Sequence, residues 1–139
     1  MSRAQARLLI ALALALAASG GGWMAVHWLH WPAASAPPME GLPSPWEPWL
    51  MRLHGAAMMV LLVVVGRVSA THAQRGWRLG LRRRGGLWML GALATLACTG
   101  YLLFYWVPDD QRDLWGAAHG ALGLAWVASL AWHRRRPAP

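Results

Sequence analysis

Lysine is absent from this sequence, so all 13 basic residues are arginine, set against only five acids. Charged residues of either sign make up 13% of the chain while 57% of it is apolar, a balance outside the usual soluble range. Cysteine occurs once, at Cys98 inside an apolar run, which excludes a disulfide framework, a CxxC metal knuckle and a CxxCH attachment motif. Cys98 therefore reads as a small packing residue. The formal charge of +8 raises nucleic acid as a partner. The arginines, however, fall in short clusters between long uncharged runs rather than interleaving with polar residues on one face. That pattern belongs to membrane-flanking anchors, so lipid is the expected surroundings and no nucleic acid partner is expected.

What the chain does contain is four uncharged stretches, each near the ~20 residues that cross ~30 Å of hydrocarbon as a helix. They are expected at about 8–31, 49–71, 86–107 and 114–132, with breaks at Pro32, the segment Pro37–Pro48 and Pro108. Arg3 and Arg7 followed by Leu8–Ala18 and small residues also look like a secretory signal peptide. The apolar run continues past those small residues to Trp31, so a full span is the preferred reading. The expected fold class is all-α: residues 1–139 as one integral membrane domain, an up-down four-helix bundle.

Charge sets the expected orientation. Arg3 and Arg7, then Arg67, Arg75, Arg78 and Arg82–Arg84, then Arg134–Arg136 flank alternate ends of the stretches, placing eleven of 13 arginines on one side. The positive-inside rule makes that side cytoplasmic, with both termini on it, in a bacterial-type inner membrane. All five acids (Glu40, Glu47, Asp109, Asp110 and Asp113) fall on the other side. Tryptophans 28, 31, 46, 49, 106 and 115 belt that outer interface, and tryptophans 77, 88 and 132 mark the inner one.

With acids and lysine missing from these stretches, hydrolytic or phosphoryl-transfer machinery has nothing to stand on, and no catalytic residue is expected. Histidine remains. All six (His27, His30, His54, His72, His119 and His133) lie in or at the edge of a stretch, where a polar residue is costly and often functional. Counted from the nearest outer break, His27, His54 and His119 sit roughly 7–10 Å deep at 1.5 Å per residue. His72 and His133 lie at the cytoplasmic ends of the second and fourth stretches. His54 and His72 are 18 residues apart, five whole turns, and so share a face about 27 Å apart along the axis. His119 and His133 are 14 apart, within about 40° of one face. A haem b needs two axial imidazoles from facing helices and small residues where the porphyrin edge meets backbone. Gly55 follows His54, and Gly116 and Gly120 flank His119. Gly116 and Gly120 also form the small-xxx-small pattern of an ordinary helix contact.

At these residues the chain resembles the small four-helix, membrane-bound cytochromes b of bacteria. The resemblance is carried by Met51-Arg-Leu-His54-Gly-Ala-Ala-Met58, Thr71-His72, Thr99-Gly-Tyr-Leu-Leu-Phe-Tyr105, Leu114-Trp-Gly-Ala-Ala-His119-Gly and Leu130-Ala-Trp-His133-Arg. It spans essentially the whole chain on short motifs. It implies one or two non-covalent haem b groups, with His54 and His119 as ligands of an outer haem and His72 and His133 of an inner one. It also implies electron transfer between a membrane quinone pool and a redox partner, which the acidic loop 32–48 is long enough to dock on the periplasmic side. The family's spacing within a helix is matched by His119 and His133 but not by His54 and His72, so the outer pair is the closer match. His27 and His30 are surplus to this scheme and stand as alternative outer ligands, or as groups serving a quinone or a proton path. Two other readings stay open: a cofactor-free membrane anchor, and a copper or iron site built from His27, His30, His54 and His119. Met58 and Met59 read as core filler, Tyr101 and Tyr105 as lining helix contacts, and Arg82–Arg84 as a topology anchor that also attracts anionic lipid.

Overall fold

The computed structural model describes residues 2–29, 44–70 and 83–135. They form four helices, α1 (Arg3–Leu29), α2 (Glu47–Val68), α3 (Arg83–Tyr105) and α4 (Asp109–Arg135), with no strand among the described residues. All four are long and apolar enough to cross a membrane, as expected of a multi-pass membrane protein. Each begins earlier than the uncharged stretch that announces it, because polar residues build the first turn. Ser2 and Gln5 close a capping box at α1: the Gln5 amide donates to the Ser2 hydroxyl at 3.1 Å and the Ser2 amide to the Gln5 side-chain oxygen at 2.9 Å. At α2 the Ser44 carbonyl accepts the Glu47 amide at 3.1 Å, and Pro48 occupies a first-turn position where an amide hydrogen is not needed. The acids Glu47, Asp109 and Asp110 lie in first turns, where the helix dipole favours negative charge.

The chain divides into two compact units, one running from Ser2 to Val65 and carrying α1 and all of α2 but its last three residues, the other from Gly66 onward and carrying α3 and α4. In the first unit α1 and α2 run antiparallel, so that contacts advance along one helix as they retreat along the other: Ser19 and Gly20 meet His54, Gly22 lies under Leu50, and His27 reaches Glu47. In the second, α3 and α4 are likewise antiparallel. The Trp88 indole donates to the Ser129 hydroxyl at 3.1 Å, the Trp126 indole to the Met89 carbonyl at 3.0 Å, and Thr99 meets His119. The turn between them is short: the Trp106 and Val107 amides both donate to the Leu102 carbonyl, Pro108 stops the helix, and α4 starts at once.

Buried side chains are few and mostly small or branched, namely Ala13, Ser19, Val26, Ala57, Leu61, Ala92, Leu93, Leu96, Val107 and Trp126. Large apolar side chains point outward instead, among them Leu14, Met59, Val63, Phe104, Leu114 and Leu124. That is the reverse of a water-soluble core, and it suits helices whose outer faces meet hydrocarbon rather than water. Hydroxyls within the helices bond back to carbonyls one turn earlier: Ser19 to Ala15, Thr95 to Gly91, Thr99 to Thr95 and Ser129 to Ala125. No buried side-chain polar atom lacks a partner among the described residues, which a low-dielectric interior demands.

Three expectations are corrected here. Cys98 is exposed rather than packed. Met59 is 67% exposed and so is not core filler, whereas Met58 is half-buried. Tyr101 and Tyr105 pack against each other as tilted rings, 4.7 Å between centroids and 39° between planes, and both side chains are exposed rather than lining a helix contact.

Candidate functional site: one histidine in each helical hairpin

Polar contact between α1 and α2 concentrates at two places. At the first, Ser19 sits within 3.0 Å of His54 Nδ1. Ser19 is only 1% exposed, and its single hydroxyl proton is already given to the Ala15 carbonyl at 2.7 Å, with the Leu16 carbonyl at 3.2 Å beside it. With that proton on the carbonyl the oxygen is left to accept from the imidazole, the arrangement that suits an Nδ1–H tautomer of His54 with its lone pair on Nε2. Gly20, next along α1, is what lets the ring approach: a Cβ there would stand 3.2 Å from Cε1 and 3.4 Å from Nδ1 of His54.

The second place is at the α1 C-terminal end, where His27 Nδ1 faces a Glu47 carboxylate oxygen at 3.2 Å, both side chains being partly exposed. Trp23, one turn back on α1, stacks on the His27 ring at 4.4 Å with 13° between the planes. Glu47 falls by composition in the acidic loop 32–48, yet it is the first residue of α2 and ties the two helix ends together.

The second hairpin repeats the first of these arrangements. Thr99 on α3 lies 2.8 Å from His119 Nδ1 on α4. Its hydroxyl proton goes to the Thr95 carbonyl at 2.8 Å, with the Leu96 carbonyl at 3.2 Å. The same arrangement suits an Nδ1–H tautomer of His119. Gly100 follows Thr99, and a Cβ there would stand 3.4 Å from His119 Cε1. The local sequences agree: Leu16-Ala17-Ala18-Ser19-Gly20 on α1 answers Leu96-Ala97-Cys98-Thr99-Gly100 on α3, and His54-Gly55-Ala56 on α2 answers His119-Gly120-Ala121 on α4. Two turns beyond each histidine comes a buried apolar residue, Leu61 in one hairpin and Trp126 in the other.

Of the residues singled out by sequence, His54, His119 and His27 lie in these arrangements. Gly55 faces open space, with nothing within 4 Å of a Cβ built there. Gly116 and Gly120 are half-buried on α4. His133 lies in the last turn of α4 and its side chain is outside the described residues; His30 and His72 lie outside them altogether. No three metal-ligating side chains gather among the described residues. Sequence reasoning missed Ser19 and Gly20, and it quoted Thr99 and Gly100 within a motif without giving them a role. The signal that finds them is the Leu-Ala-small-Ser/Thr-Gly pattern shared by the first helix of each hairpin.

Comparison of the chain with protein-family models, with curated proteins and with solved structures finds no match. What can be said of function therefore rests on these residues.

Proposed function

We propose that the protein is a multi-pass inner-membrane electron carrier that binds haem b non-covalently through His54 and His119 and exchanges electrons between a quinone pool and a redox partner. The observation that carries this reading is the pair of matched imidazoles, one per hairpin, each with Nδ1 bonded to a hydroxyl acceptor. Histidines that ligate a metal through Nε2 almost always donate Nδ1–H to a fixed acceptor, which sets the tautomer and raises ligand basicity. Haem asks for only two protein ligands, so the lack of a three-residue cluster among the described residues does not weigh against it. Haem b supplies a one-electron couple inside a low-dielectric interior. The chain's own part is to hold the imidazoles, to exclude water with apolar helices and to set orientation through its arginines, with both termini cytoplasmic in an up-down four-helix bundle. His72 and His133 are the candidates for a second, inner haem.

The same hydrogen bonds would also fasten two helices in a cofactor-free membrane anchor, so one experiment separates the readings. The full-length chain, purified in detergent, is expected to show a b-type band in the reduced-minus-oxidised spectrum and a whole number of haems per chain on extraction. Absence of that band after expression with sufficient haem sinks the electron-carrier reading and leaves the anchor. Copper or non-haem iron found by elemental analysis instead of haem would point to a histidine metal site.

A further inference from the structure

We propose that Ser19 and Thr99 are positioning residues whose task is to fix the tautomer of His54 and His119. The inference deepens the haem reading and depends on it for its purpose, but its geometric basis does not. Neutral histidine in water prefers the proton on Nε2, the nitrogen that an iron would need. In both hairpins the opposite form is held. A hydroxyl whose own proton is spent on the carbonyl one turn back, at 2.7 Å for Ser19 and 2.8 Å for Thr99, presents only lone pairs to the ring, at 3.0 and 2.8 Å. Serine or threonine followed by glycine is thus a two-residue device. The hydroxyl orients Nδ1, and the missing Cβ lets the ring edge sit against the helix, with Cε1 3.2 Å from the Cβ position of Gly20 and 3.4 Å from that of Gly100. A purely structural fastener needs a hydrogen bond of either polarity. Here the backbone carbonyls compete for the hydroxyl proton and so favour one polarity, and they do so twice.

Two consequences are measurable. Without its acceptor the imidazole returns towards the Nε2–H form, and haem affinity falls by ~10–100-fold, the usual cost of losing a partner behind a ligand. The acceptor also makes each imidazole a stronger donor to ferric iron, so its loss moves the haem midpoint potential upward.

The test uses the full-length chain in detergent with ¹⁵N-labelled histidine, prepared without added haem, and reads the imidazole nitrogen shifts. His54 and His119 are expected to be protonated on Nδ1 in the unaltered protein. Thr99→Val and Ser19→Ala are expected to move His119 and His54, respectively, towards Nε2–H, while Thr99→Ser and Ser19→Thr preserve Nδ1–H. The haem-loaded proteins are then compared by potentiometric titration and haem transfer to an acceptor protein. Nε2–H in the unaltered chain overturns the inference without recourse to any variant. So do unchanged tautomers, haem transfer and potential in both hydroxyl-free variants. Failure of the haem reading is a separate result, a missing b-type band in the unaltered protein, which leaves the tautomer measurement standing.

Discussion

The two hairpins share a middle and differ at one end. Each places a hydroxyl and a glycine of its first helix against a histidine of its second, with a buried apolar residue two turns further on. Their connections differ in length. Residues 30–46 separate α1 from α2, and the helix ends are tied by the His27–Glu47 pair, whereas α3 and α4 turn within 106–108 and α4 begins with Asp109 bonded to Arg112 at 2.9 Å. What recurs is the polar core inside the apolar helices, where an unsatisfied group is costly. What varies is the end where polar groups can meet water. One polar trio thus recurs inside two otherwise dissimilar helix pairs.

The comparison is broken most severely at its centre. Under the proposed haem reading, His54→Ala and His119→Ala are each expected to diminish or abolish the b-type absorbance; an undiminished spectrum in either variant would show that the histidine of that hairpin is not a ligand. His72→Ala removing only part of the signal would reveal a second haem. The next effect is on packing. Leu61 is fully buried, so Leu61→Ala is expected to destabilise by ~2–5 kcal/mol. At the equivalent position Trp126→Phe, which keeps most of the bulk but loses the bond to the Met89 carbonyl, should cost about 1 kcal/mol for that bond. Thermal unfolding of the purified protein in detergent measures both, and equal losses would mean that the two positions are not filled in the way described.

Glycine gives a sharper contrast. At Gly20 an added Cβ meets His54 at 3.2 Å, against 3.4 Å between Gly100 and His119. Gly20→Ala should therefore disturb its site more than Gly100→Ala, with an overpacking cost of roughly 1–3 kcal/mol for the former, while Gly55→Ala and Gly91→Ala, with open space around them, serve as neutral controls. Haem retention after gel filtration ranks the four. The smallest effect belongs to the variable end: Arg112→Ala removes an exposed pair with Asp109 and should change stability by less than about 1 kcal/mol. A larger loss would assign the short turn a role in holding α3 against α4.

The four helices were legible because an apolar stretch of spanning length has few alternatives, and their ends were misplaced by a few residues because capping boxes and proline first turns extend helices into polar sequence. His54 and His119 stood out by depth and by flanking glycines. Ser19 and Thr99 did not, since a hydroxyl within an apolar helix ordinarily satisfies itself on its own backbone and nothing local announces that it also accepts from a neighbouring helix. Glu47 was hidden for the related reason that its partner, His27, comes from another helix. Cys98, Tyr101 and Tyr105 were misjudged because apolar neighbours do not tell which side of a helix faces its partner and which faces outward.

Cys98, exposed and alone of its kind, directly precedes Thr99 on α3. Successive helical residues are rotated by about 100°, so a probe on this thiol rides outside the helix while the next residue reaches inward. The unaltered chain thus comes with a built-in attachment point for a spin label or dye, one position from a key hydroxyl. Any movement of α3 on addition of haem is open to spectroscopy with no engineered residue at all.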